Sequence, residues 1–162
     1  MLKNLLIAAA LMTSMAVSSG VSLAAGIEVT PTENAVDADF AVGKKAIDAK
    51  DWNAAIAAFS KVVARNPANA DAHNFLGYAY RWTGKMDESF SHYNSALRLE
   101  PNHKGAHEYI GVAYLKVDKP DQARVHLGKL EKICGRKCEE YVDLAKAIAD
   151  YKSQPPKKAK GY

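Results

Sequence analysis

An all-α chain of three stacked helical hairpins closed by a capping helix is the fold class this sequence predicts, and three observations predict it. Residues 39–67 align with residues 73–101 at a shift of 34, and a third copy follows at the same shift. Within the copies, apolar residues recur at helical spacing, as His107, Ile110, Gly111 and Tyr114 do. A last amphipathic stretch, residues 139–151, supplies a helix with one polar side to end the array. The 162 residues suffice for one compact domain, and 48% hydrophobic with 25% charged is an ordinary soluble composition.

The chain opens with a targeting pattern. Lys3 precedes an apolar run from Leu5 to Met12, and small residues follow down to Ser22-Leu23-Ala24-Ala25. That order predicts a secretory signal peptide over residues 1–24, with the cut after Ala24 because Ser22 and Ala24 are small. The apolar core is too short, and too diluted by Ser and Thr, for a stable membrane span. Loss of Lys3 lowers the net charge from +4 to +3. A periplasmic or secreted location is therefore expected. Residues 25–35, with Pro31 between threonines, read as a flexible leader.

The repeats are expected at 36–69, 70–103 and 104–135. Val42-Gly43 matches Leu76-Gly77 and Ile110-Gly111, and Phe59 matches Tyr93 and then Leu127. Asn66-Pro67-Ala68-Asn69 and Glu100-Pro101-Asn102-His103 are matching turns between hairpins. Lys50-Asp51, Gly84-Lys85 and Asp118-Lys119 are the turns inside them, and Pro120 suits a first helical turn. Glycine inside a helix costs about 1 kcal/mol against alanine. Gly43, Gly77 and Gly111 at one repeat position thus predict close approach of a second helix. Residues 136–151 are expected to cap the stack, with Tyr141, Leu144, Ala145 and Ile148 inward and Asp143, Lys146 and Asp150 outward. Residues 152–162, with Pro155-Pro156 among lysines, read as a basic disordered tail.

This pattern resembles the tetratricopeptide repeat (TPR) family. The resemblance implies a right-handed superhelix whose first helices line a concave groove for a protein or peptide partner. By register the groove positions are Phe40, Lys44, Ile47 and Asp48, then Asn74, Tyr78, Arg81 and Trp82, then Glu108, Val112, Leu115 and Lys116. The expected binding set is Lys44, Asn74, Tyr78, Arg81, Trp82, Glu108 and Lys116. Aromatics and arginine dominate interface energetics, so Tyr78, Arg81 and Trp82 stand out; packing on the turn into the next helix is the other reading of Trp82. The family's terminal-carboxylate clamp is not expected. Phe40 and Lys44 stand where its first repeat carries lysine and asparagine, and Gly105 and Tyr109 where its third carries lysine and arginine.

Cys134 and Cys138 flank Gly135-Arg136-Lys137 and predict a disulfide in an oxidising compartment. A thiol–disulfide or metal-handling role for the pair is the alternative functional reading. His73 and His107 share one repeat position and read as inter-helix packing groups; no metal site is expected. No nucleophile elbow, phosphate loop or His-Glu-x-x-His is present. The expected function is a periplasmic interaction module, an adaptor, scaffold or assembly factor. No enzyme activity, cofactor or nucleic-acid partner is expected, nor stable membrane insertion after signal cleavage; self-association is a further possibility of the stack.

Overall fold

The structure, a computed structural model, describes residues 33–153. The expected signal peptide, most of the leader and the tail beyond Ser153 lie outside the described residues. Seven helices account for the rest: α1 (Glu33–Asp48), α2 (Trp52–Arg65), α3 (Ala70–Trp82), α4 (Met86–Leu99), α5 (Lys104–Lys116), α6 (Pro120–Cys134) and α7 (Glu139–Ser153). No strand occurs among the described residues. The helices pair as α1–α2, α3–α4 and α5–α6, and α7 packs on both α5 and α6.

Local chemistry sets the helix ends. Asp51, Asn69 and His103 each accept a backbone N–H three residues on, at 3.0, 2.8 and 3.1 Å, and so cap α2, α3 and α5. The turn inside each hairpin needs one left-handed residue, at Lys50 (φ 58°), Gly84 (φ 79°) and Asp118 (φ 58°), which are 34 apart. Only the middle repeat uses glycine there. Helix α1 begins at Glu33, inside the segment expected as a leader. Helix α7 begins at Glu139, later than 136, because Gly135 turns the chain at φ 80° and Val142 N–H bonds the Cys138 carbonyl.

Apolar faces then bind the hairpins together. One core joins α1, α2 and α3 around Phe59, Val62 and Leu76, a second joins α4 and α5 around Tyr93 and Ile110, and a third joins α5, α6 and α7 around Leu130, Leu144 and Ile148. Each such side chain contributes roughly 1.5–3 kcal/mol when fully buried. The helix glycines admit these groups. A Cβ on Gly43 would lie 2.7 Å from the Phe59 ring, and one on Gly77 2.6 Å from Tyr93. At Gly111 the visitor is not the hairpin partner Leu127 but Leu144 of α7, at 2.6 Å. Where the third repeat has leucine for the ring, the capping helix fills the notch. On α7, Leu144 and Ile148 are buried, Tyr141 and Ala145 half-buried, and Asp143, Lys146 and Asp150 exposed.

Candidate partner-binding groove

Helix α3 presents Tyr78, Arg81 and Trp82 at the 0, +3 and +4 positions of one face. Trp82 is 47% exposed. Its ring stacks on Trp52, the first residue of α2, with centroids 5.2 Å apart and planes 7° from parallel. Tyr78 touches both tryptophans edge-on and meets Tyr109 of α5 at 4.9 Å. Four rings from three helices thus form one continuous aromatic strip. Two cations rest on it. The Arg81 guanidinium lies 5.0 Å from the Tyr78 centroid and 5.3 Å from that of Trp82, and Lys116 Nζ lies 5.0 Å from Trp82.

Arg81 sits at the floor of this cluster, 6% exposed, and its Nε makes no hydrogen bond. Its charge acts on its neighbours. It opposes the rise that burial imposes on the Tyr93 hydroxyl, and it joins burial in lowering the Lys116 pKa. Glu108 on α5 is half-buried, and burial, reinforced by Asp143 and Glu140, pushes its carboxyl up to about 7 against the pull of Arg81. Among the described residues no carboxylate forms an ion pair with Arg81, Lys116 or Lys44.

The structure brings together Tyr78, Arg81, Trp82 and Lys116, with Glu108 close enough to feel Arg81. Lys44 stands apart from that group, over the Phe75 ring at 4.4 Å. Asn74 is 3% exposed and lies beside Gly105, so it is a buried group and not open groove surface. Leu115 is likewise buried, in the α5–α6–α7 core. Trp52, Phe75 and Tyr109 are the contributors that the groove register misses. Trp52 belongs to a second helix, and its repeat equivalents are Met86 and Pro120, so no recurring residue marks it.

The histidines go elsewhere. His73 Nε2–H donates to the Pro67 carbonyl at 3.2 Å, which leaves Nδ1 to accept from His92 Nδ1–H at 3.0 Å. The same arrangement recurs one repeat later: His107 donates to Pro101 at 2.9 Å and meets His126 at 2.9 Å. His103 caps α5 and faces Asp71, so it does not pair with His107. Cys134 and Cys138 are bonded as a disulfide, Cα atoms 5.9 Å apart, across the α6–α7 turn. Glu140 offers a carboxylate oxygen within 4.8 Å of both sulfurs, and it is also paired with Lys104 at 3.1 Å.

The tetratricopeptide repeat family model matches residues 40–104. No curated protein sequence matches the chain. Among solved structures, the TPR2B domain of yeast Sti1 in its pHsp70 complex is 17% identical with a TM-score of 0.68, over 75% of this chain and 99% of that one. The second TPR domain of human RPAP3, in complex with an HSP70 peptide, is 16% identical with a TM-score of 0.65, over 75% and 98%. A point variant of MamA is 25% identical with a TM-score of 0.56, over 64% and 74%. No helix among the described residues is long and apolar enough to cross a membrane. The family match covers residues 40–104, and the seven described helices share the all-α helical-repeat fold of these structures.

Proposed function

We propose that the chain is an exported interaction module, an adaptor, scaffold or assembly factor, that holds a segment of a partner protein along the strip of Trp52, Tyr78 and Trp82. The observation that carries this reading is Trp82. A large ring left half-exposed, stacked on a second tryptophan and flanked by two cations, is the composition of an interface centre. The similar TPR domains solved with HSP70-derived ligands support a peptide-binding use of the fold. The sequence of residues 1–24 supports export to the periplasm. Capture from periplasmic extract tests the binding part, and fractionation of cells expressing the full chain tests export. Mature protein is expected to retain a partner that a Tyr78→Ala, Trp82→Ala double variant of equal helicity loses. Equal capture by both would remove the strip as the working surface.

A second reading rests on Cys134, Cys138 and Glu140. Reduced by a dithiol, the two thiolates and the carboxylate would offer three ligand atoms to a soft divalent or monovalent metal ion. Titration of the thiols in folded protein tests it. Sulfurs that resist a dithiol under native conditions would exclude both redox exchange and metal handling.

A further inference from the structure

We infer that Arg81 and Lys116 form a subsite for a side-chain carboxylate of an extended acidic segment in the partner, with Trp82 as its apolar wall. The inference rests on the groove being the binding face, and it names the chemistry of what the groove takes.

Charge is the first ground. Arg81 and Lys116 both approach one exposed ring, at 5.3 and 5.0 Å from its centroid, and neither forms an ion pair among the described residues. Lys44, over Phe75, adds a third unneutralised cation from α1. By contrast, Lys104 of α5 and Arg136 of the α6–α7 turn already hold Glu140 and Glu131. The groove cations are therefore unlike their neighbours.

Burial is the second ground. A guanidinium that is 6% exposed, with an Nε that makes no hydrogen bond, is costly to keep unless an anion completes its donors. The internal carboxyl that feels its charge is Glu108. It faces Asp143, Glu140 and Glu139 from α7, and burial and these acids hold its carboxyl near 7. Near neutral pH it is only partly ionised, and it makes no ion pair with Arg81. A carboxylate bound over the Trp82 ring would have Lys116 as well as Arg81 to offset those acids. It would be bound by charge-assisted donation from both cations, while the residues beside it lie on the rings of Trp82 and Tyr78.

The chain carries its own reporter. Trp52 and Trp82 are its only tryptophans, and they stack on each other at this site. The probe is an end-blocked peptide of tandem Ser-Glu-Leu-Glu-Ser, compared with tandem Ser-Gln-Leu-Gln-Ser, read by tryptophan fluorescence of the mature chain. Blocked ends confine the signal to side-chain carboxylates. The glutamate peptide is expected to saturate the signal, and the glutamine peptide to bind about tenfold more weakly or worse. Lys116 is exposed, so Lys116→Gln folds normally and is expected to weaken the glutamate peptide about fivefold, as one charge-assisted contact is lost. Lys116→Glu is expected to weaken it further, and added salt to weaken all of it. The inference is overturned if both peptides bind alike, if neither binds, or if Lys116→Glu changes nothing. A partner lost by the Tyr78→Ala, Trp82→Ala variant, together with no response to the glutamate peptide, would leave the groove as the binding face and remove the carboxylate subsite alone.

Discussion

The Nδ1 atoms of His107 and His126 stand 2.9 Å apart, and the Pro101 carbonyl decides which of them carries the proton. A carbonyl can only accept, so His107 keeps its proton on Nε2 and presents a bare Nδ1 to His126. The bond exists only while His107 is neutral. A second proton would set two N–H groups against each other in a site where His126 is 8% exposed.

Protonation of the histidine pairs should therefore loosen the hairpins as pH falls below the ordinary histidine value. Burial, helped by His107 and Lys129, holds the His126 pKa down to about 4, and burial also lowers His107 and His92. Lys129 and His103 face His107, while Glu88 beside His92 pulls the other way. These depressed values mean that the unfolded chain binds protons that the folded chain refuses. The histidine contribution is full above about 6.5, the ordinary histidine value, and is lost as pH drops towards 4, while Glu108, its carboxyl raised to about 7, contributes with the opposite sign between 7 and the ordinary glutamate range. His126 alone accounts for a loss of about 3 kcal/mol over that window. Urea midpoints at stepped pH read the slope. His126→Gln, which keeps a donor for His107 and has no proton to gain, is expected to flatten it; an unchanged slope would show that the pair is not its source.

The left-handed turns make a prediction of opposite sign. Lys50 and Asp118 carry side chains at φ 58°, where Gly84 in the middle repeat carries none. Relief of that conformation contributes about 1–2 kcal/mol, and the greater freedom of glycine in the unfolded chain takes back about 0.5–1 kcal/mol. Lys50→Gly is thus expected to stabilise by a few tenths to about 1 kcal/mol, and Gly84→Ala to destabilise by about 1 kcal/mol. Chemical denaturation of the two variants checks both signs.

Helix glycines divide in the same way. A Cβ at Gly77 would meet the Tyr93 ring at 2.6 Å, and that ring is fully buried and cannot yield. At Gly128 a Cβ would meet nothing within 4 Å. Gly77→Ala is expected to cost about 1–3 kcal/mol through overpacking, and Gly128→Ala to stabilise by up to about 1 kcal/mol through helix propensity. Thermal melts that move both variants the same way would contradict the packing argument.

The parts of the fold that repeat were legible, because recurrence at 34 residues marks them: the turns at Lys50, Gly84 and Asp118, the glycine notches, and the turns between hairpins that end at Asn69 and His103. What the repeat does not share was hidden. Trp52 has no aromatic equivalent, so its stack on Trp82 left no periodic trace. Leu144 fills the Gly111 notch from outside the repeat. Helix register gave the direction of Asn74 and Arg81 but not how far the next hairpin covers them, and both are buried. The two histidine pairs are themselves 34 apart, so a pairwise comparison of the copies carries that signal too.

Reduction of Cys134–Cys138 tests how the cap is held. The bridge spans four residues of sequence. Chain entropy assigns a loop that short about 2 kcal/mol. The larger anchor is apolar: Leu144 in the Gly111 notch and Ile148 beside it, where Leu144→Ala is expected to cost about 2–5 kcal/mol. The two holds act at opposite ends of the contact, the bridge at the turn and the leucine along the helix. A Cys134→Ser, Cys138→Ser double variant is therefore expected to lose about 2 kcal/mol yet keep α7 docked. Hydrogen exchange separates the cases. Amides from Leu144 to Ile148 should stay protected in the serine variant and lose protection in Leu144→Ala. Loss of protection in the serine variant alone would make the bridge, and not the leucine, the element that holds α7 against α5.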